Sequence, residues 1–124
     1  MQEQENDSGL LHGSETIGWI ATTKGSYNDI NGLILLESET GMETITHEFT
    51  TLTYGNDGID IDFNSPPNLL TKLTTYNGGD PALTRIMNIT STSFEIQIDE
   101  DTSRDSETNH TTETIGYIAI GQST

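Results

Sequence analysis

Phe94-Glu95-Ile96-Gln97-Ile98-Asp99 is a stretch in which apolar and polar residues alternate without a break. Successive side chains of a β-strand point to opposite faces, so the three apolar residues are predicted to face a core and the three polar ones to face water. A helix would instead repeat its apolar residues every three or four positions. This stretch therefore predicts a strand that is buried on one face only, which is typical of an antiparallel sheet.

Turn-forming residues divide the rest of the chain into short runs rich in Thr and Ile. Asn56-Asp57-Gly58 and Asn77-Gly78-Gly79 tolerate positive φ, while Pro66-Pro67 cannot donate to a strand ladder. Since no run has the length and period of an amphipathic helix, the chain is predicted to be all-β. The predicted strands cover residues 15–22, 32–37, 46–54, 59–63, 69–76, 83–90, 94–99 and 114–120. We expect a polar N-terminal arm at residues 1–9 and a single antiparallel β-sandwich domain at residues 10–124.

One internal repeat frames the predicted domain. His-Gly-Ser-Glu-Thr-Ile-Gly-Trp-Ile-Ala at residues 12–21 matches His-Thr-Thr-Glu-Thr-Ile-Gly-Tyr-Ile-Ala at residues 110–119, with seven of ten positions identical. The two segments are expected to occupy related environments. In one alternative they are neighbouring strands. In the other, the spacing is the period of a tandem array in which each unit contributes its last strand to the next unit.

Each copy of the repeat opens with a histidine and a glutamate three positions apart. His12 with Glu15, and His110 with Glu113, offer side chains that can bind a metal or exchange protons. In an extended strand, however, residues three apart point to opposite faces. The pairs are therefore expected to fix the start of each strand by hydrogen bonds rather than to form a zinc or acid–base site.

The chain is strongly acidic, with 20 Asp and Glu against 4 Lys and Arg and a formal net charge of -16. Phosphate groups are bound by clustered Lys and Arg, so nucleic acid is excluded as a partner. The charge is interpreted either as a solvated acidic surface or as a sign of cation binding. The N-terminal residues are acidic and lack an apolar stretch, so no signal peptide is visible, and no segment is suited to membrane insertion.

From Ile59 onward, over about half of the chain, the order of several short motifs resembles the H-type lectin domain. These motifs are Phe63 followed by Pro66-Pro67 and Leu69-Leu70, then Arg85-Ile86, then Ile89-Thr90 leading to Phe94, and finally Tyr117-Ile118-Ala119-Ile120. The resemblance implies an antiparallel β-sandwich that assembles as a homotrimer and binds sugars at the subunit interfaces. The chain is also similar to repeats of some large marine bacterial surface proteins, which share the Asn-Gly-Gly-Asp turn and the His-x-x-Glu-Thr closing strand.

The resemblance implies a carbohydrate contact at Arg85, which matches an arginine that contacts the sugar in the lectin family. Asp101 and Asp105, in the loop after the next strand, are the further candidates. The family's aromatic residue and histidine would fall near Asp101 and Thr102, and these two residues can neither stack on a sugar ring nor replace an imidazole. The alternative for Arg85 is an ion pair with one of the nearby carboxylates.

Several carboxylates crowd this same loop, and carboxylate oxygens are the ligands that Ca²⁺ prefers. The candidate metal ligands are Asp99, Glu100, Asp101, Asp105 and Glu107. Their spacing differs from that of an EF-hand, and a solvated connection between two strands explains the acidic residues equally well. Calcium is the one cofactor that the sequence suggests.

The sequence contains no nucleophile motif, phosphate loop or cofactor fingerprint, so we expect a protein that is not an enzyme. Two hypotheses remain. In the first, the chain is a structural and recognition protein of a virion, such as a head decoration, turret or tail fibre, which contacts its own copies and other virion or surface proteins. In the second, it is a carbohydrate-binding module, with or without calcium, from a larger secreted bacterial or archaeal protein. Both place it on a virion or an extracellular surface.

Overall fold

The computed structural model of the chain describes residue 14 and residues 16–29, 34–55, 61–102 and 109–124. These residues form seven β-strands and no helix, which confirms the all-β prediction. The strands are β1 (Gly25–Asn28), β2 (Ile34–Ile45), β3 (Thr50–Thr53), β4 (Asn68–Leu73), β5 (Ala82–Met87), β6 (Ser93–Glu100) and β7 (Glu113–Gln122).

The strands form two antiparallel sheets. The larger sheet has the order β1-β2-β7-β4, and the smaller one has the order β3-β6-β5. β7 and β6 therefore have a strand on each side, and burial alternates along both of them. This alternation is expected for strands that contact the core with one face only.

A single hydrophobic core collects inward residues from both sheets. The inward apolar residues of β6 and β7 are at most 2% exposed. Those of β6 are Phe94, Ile96 and Ile98, which the alternating stretch predicted, and those of β7 are Ile115, Tyr117 and Ala119. The Phe94 and Tyr117 rings join the sheets, with centroids 5.2 Å apart and an edge-to-face arrangement. Burying a large apolar side chain stabilises a fold by about 1.5–3 kcal/mol, so this core holds the two sheets together.

Several strand boundaries differ from the sequence prediction for local reasons. The predicted strand 46–54 is formed only at β3, because the Thr46 hydroxyl accepts a hydrogen bond from the Glu48 N–H (3.2 Å) in a turn. The predicted strand 83–90 ends at Met87, because Asn88 adopts a left-handed conformation with φ of 48°.

The observed strands differ from the predicted ones in three other places. The strand predicted at residues 69–76 ends at Leu73, and β1 was not predicted. Within the strand predicted at residues 59–63, residues 59 and 60 lie outside the described residues, and Phe63 makes a single bridge to Ser123. Short pairings of this kind carry too few residues to leave a periodic pattern in the sequence.

The largest correction concerns the strand predicted at residues 15–22. Residues 16–22 form no strand, and the side chains of Ile17, Trp19 and Ile20 are 76%, 82% and 56% exposed. The other copy of the repeat forms the central strand β7, whose two edges are occupied by β2 and β4. Of the two alternatives for the repeat, the one in which the copies are neighbouring strands was therefore wrong. His12, Glu15 and the arm at residues 1–9 lie outside the described residues.

Candidate functional site

A glutamate, a histidine and a second glutamate meet where β6 ends and β7 begins. His110 Nδ1 lies 3.2 Å from Glu100 Oε1, and His110 Nε2 lies 3.1 Å from Glu113 Oε1. The three side chains are 7%, 2% and 1% exposed in the order Glu100, His110, Glu113. We call them the Glu–His–Glu cluster. It ties the end of one sheet's central strand to the start of the other's.

The Glu113 carboxylate also holds the loop formed by residues 75–78. It accepts hydrogen bonds from the Thr75 hydroxyl (2.5 Å) and from the backbone N–H groups of Asn77 (2.7 Å) and Gly78 (3.0 Å). Burial by itself raises the pKa of the Glu113 carboxyl, but the hydrogen bonds from this loop and from His110 outweigh burial and lower the pKa below its ordinary value of 4.5. Glu113 is therefore a buried carboxylate with a full set of donors.

Gly78 leaves the space that the His110 ring fills. A Cβ atom at position 78 would lie 2.7 Å from His110 Nε2, and closer still to Cε1. No side chain fits there unless the ring moves, whereas the neighbouring Gly79 has open space around its Cβ position. The Asn-Gly-Gly turn is thus shaped by the histidine that packs on it.

The geometry of the cluster fits a structural role, in which hydrogen bonds hold the two strand ends together, rather than a metal or acid–base site. Both ring nitrogens of His110 face carboxylate oxygens, so neither offers a free lone pair to a metal. Within the described ranges, no group of three or more His, Asp or Glu side chains is arranged to hold a metal ion. A general acid or base must reach its substrate, and these side chains are closed off from solvent.

The hydrogen bonds expected at the start of the strand are present for His110 and Glu113. The expectation that the two residues point to opposite faces was wrong for this copy. His110 precedes the strand, which begins at Glu113, so the alternation of an extended strand does not apply to it.

The predicted sugar contact Arg85 lies in β5, where it pairs with Asp99 on the neighbouring β6. Arg85 Nη1 lies 3.6 Å from Asp99 Oδ2, and the two side chains are 63% and 56% exposed. An ion pair of this kind was the alternative considered for Arg85. Because both groups are hydrated, the pair contributes at most about 1 kcal/mol to stability. The guanidinium remains accessible from solvent.

The structure separates two of the predicted calcium ligands, Asp99 and Glu100. Asp99 is exposed on one face of β6, while Glu100 is turned inward to His110. Asp101 follows the strand, and its N–H donates to the Pro81 carbonyl (2.8 Å). Asp105 and Glu107 lie outside the described residues. The sugar site at Arg85, Asp101 and Asp105 and the calcium site in the acidic loop stay predictions.

A cleft of about 580 Å³ lies where the segment 16–22 crosses β4 and β7. Trp19 and Ile20 form one wall, and Leu70 and Lys72 of β4 are part of the other. Trp19 and Leu70 are 82% and 54% exposed, so this apolar surface is open to water. Sequence reasoning missed the cleft because it placed residues 15–22 inside a sheet.

No helix in the described part of the chain has the length and apolar character needed to span a membrane. Comparison of the chain with protein-family models, with curated proteins and with solved structures finds no match.

Proposed function

We propose that this chain is a non-enzymatic structural and recognition protein with an H-type lectin-like β-sandwich, displayed as a homotrimer on the surface of a virus particle. There it serves as a head decoration, turret or tail-fibre component that contacts its own copies, other virion proteins or the host surface. Two sheets around one core support the sandwich. The net charge of -16 supports a position outside the particle, away from the packaged nucleic acid, because phosphates repel carboxylates.

One observation carries the proposal: an apolar surface is open to solvent on an acidic protein. Ile17, Trp19, Ile20 and Leu70 are each more than half exposed. Exposed apolar patches mark contact sites for other macromolecules, and Trp is enriched at such contacts. The proposed contact surface of the protein is therefore formed by the segment 16–22 and the outer side of β4.

The experiment is light scattering over a wide concentration range, combined with tryptophan emission. We expect the mass of a trimer and a blue-shifted emission on assembly, because Trp19 is the only tryptophan. Trp19→Asp should give a monomer. The matched control is Leu83→Asp, since Leu83 is an apolar residue of β5, in the other sheet, and is 68% exposed. A monomer mass for the unaltered chain at every concentration would contradict the proposal.

The second candidate is a carbohydrate-binding module of a larger secreted bacterial or archaeal protein. The observation that favours it is the accessible Arg85 guanidinium, which keeps donors free for a sugar beside the single 3.6 Å contact with Asp99. Asp101 and Asp105 would add acceptors, and calcium bound by the acidic loop would order them.

A glycan array tests this candidate. Arg85→Ala should remove the hits, whereas Lys24→Ala, which deletes a positive charge elsewhere, should keep them. Hits that survive Arg85→Ala would exclude the predicted contact. Calcium binding has its own measurement, because an ion that binds only the folded chain raises its melting temperature, and EGTA should then lower it.

A further inference from the structure

The segment 16–21 has the inward side chains of a central strand but lies outside both sheets. Thr-Ile-Gly-Trp-Ile-Ala at residues 16–21 matches Thr-Ile-Gly-Tyr-Ile-Ala at residues 114–119 in five of six positions. In β7, Ile115 and Tyr117 are 0% and 2% exposed, while their counterparts Ile17 and Trp19 are 76% and 82% exposed. The segment thus presents core residues to solvent without a core of its own.

The segment cannot take the β7 position in its own chain while β1 is in place. β1 and β7 are both antiparallel to β2 and lie on opposite sides of it, so they are parallel to each other. Ala119 pairs with Glu37, and Gly25 pairs with the next residue, Ser38. If Ala21 took the position of Ala119, only residues 22–24 would be left to connect it to Gly25. These three residues would have to cross β2 and begin β1, which runs parallel to β7. Parallel connections need about a dozen residues or more.

A β7 position that could receive this segment therefore lies in another molecule. We propose that residues 16–21 enter the β7 position of a second copy of this chain, between its β2 and its β4, and displace its residues 114–119. The β7 position can accept either strand because their sequences are nearly the same. In sequence the repeat continues to Glu15, the counterpart of Glu113. The loop 75–78, which binds Glu113, is present in every copy of the chain.

This inference rests on the proposed assembly function. It keeps the segment 16–22 as one side of the contact and makes the β7 position, rather than the outer side of β4, the other side. The donated strand and the accepting sheet are different surfaces, so the contact is head-to-tail. Head-to-tail contacts close into a ring when the rotation between copies allows it, and three copies in a ring give the proposed trimer. Exchange of an identical element between copies is a low-cost route to such assemblies.

Cysteine trapping tests the register of the exchange in the folded, full-length chain, which has no cysteine of its own. Ala119 lies beside Leu69 in the ladder of β7 and β4. A chain with Ala21→Cys is therefore refolded together with a chain carrying Leu69→Cys and then oxidised. Exchange predicts a disulfide-linked heterodimer, identified by its mass.

Leu70→Cys is the matched control for Leu69→Cys. Leu69 packs against the core, and Leu70 points to the outer face, where a chain that merely lies across the sheet would reach it. Exchange predicts about tenfold more heterodimer with Leu69→Cys than with Leu70→Cys, because side chains on opposite faces of a strand cannot both meet one partner. Equal yields, or none with Leu69→Cys, would overturn the inference.

A cycle of aspartate variants gives a second measurement. Ile17→Asp alone should fold normally and lose the assembly. Ile115→Asp damages the chain's own β7 but leaves the donor segment intact, so it should form soluble head-to-tail assemblies with β-sheet circular dichroism. The double variant Ile17→Asp/Ile115→Asp should be unfolded. If Ile115→Asp alone is as unfolded as the double variant, the segment does not replace β7.

The outcomes separate this inference from the proposed function. A trimer without the residue 21 to residue 69 disulfide would leave the assembly function standing and remove strand exchange. A monomer at every concentration would remove both.

Discussion

Two copies of nearly one sequence, residues 16–21 and residues 114–119, lie in opposite environments in this protein. Tyr117 is buried between the sheets, while Trp19 is 82% exposed. Since the local sequences barely differ, the difference comes from the neighbours: β7 pairs with β2 and β4, and the segment 16–22 pairs with neither. A strand-forming sequence becomes a strand only where ladder partners and a core receive it.

The largest effect is expected when the matched aromatic residues are truncated. Tyr117→Ala should lower the free energy of unfolding by about 3–5 kcal/mol, because it leaves a cavity beside Phe94. Trp19→Ala should change the stability of the monomer by no more than about 0.5 kcal/mol, because the side chain is exposed. Urea unfolding followed by circular dichroism measures both. Similar losses would mean that the two copies are equally buried.

The second prediction concerns Glu113, which anchors the buried copy. Its pKa is lowered in the folded chain, so its contribution to stability is fully present above its ordinary value of 4.5 and is lost as pH falls through the folded pKa. Glu113→Gln should cost about 2 kcal/mol at neutral pH, because buried donors lose a charged acceptor.

The same variant should also flatten the loss of stability on acidification. Urea unfolding between neutral pH and about pH 3 measures the slope. The matched control is Glu95→Gln, since Glu95 makes one exposed hydrogen bond, with Asn88. An unchanged slope in Glu113→Gln would show that this carboxylate does not carry the acid sensitivity.

A smaller effect is expected in the loop that receives Glu113. Gly78→Ala should lower the free energy of unfolding by about 1–2 kcal/mol, because the added methyl group meets the His110 ring. Gly79→Ala should stay within about 0.5 kcal/mol of the unaltered chain, because nothing lies near its Cβ position. Thermal melts of the two variants make the comparison. Equal melting temperatures would mean that the ring shifts without cost.

The smallest effect is expected at the exposed pair on the other sheet. Arg85→Ala should reduce stability by less than about 1 kcal/mol, because the Arg85–Asp99 pair is hydrated. The measurement is urea unfolding at low and high salt, and added salt should reduce the difference further. A larger loss would give this pair a structural role like that of the Glu–His–Glu cluster.

The parts of the fold that sequence could predict rest on local periodicity. Phe94, Ile96 and Ile98 alternate with polar residues, and all three face the core. The start of β7 at Glu113 lies within one residue of its predicted start. Asn88 ended a strand early through its left-handed backbone, a conformation that Asn accepts but does not require.

The parts that sequence could not predict rest on contacts between distant residues. Glu113 binds Thr75, 38 positions earlier in the chain, and no local pattern indicates that pairing. Glu100 belongs to an acidic run that suggested calcium, yet its carboxylate is turned inward to His110. Residues of one type along a loop differ in role because tertiary contacts decide which of them are desolvated.

The sequence is enough to predict that this protein is built from strands, that the chain leaves the strands at Pro66-Pro67 and at Asn77-Gly78-Gly79, and that the sequence of one strand occurs twice. The predicted turn at Asn56-Asp57-Gly58 lies outside the described residues. Which of the two copies forms the strand depends on contacts between distant residues. β-strand side chains alternate for purely local, steric reasons, so either copy can form a strand. Backbone pairing and burial depend on what lies on each side, and between β2 and β4 there is room for one strand, which β7 occupies.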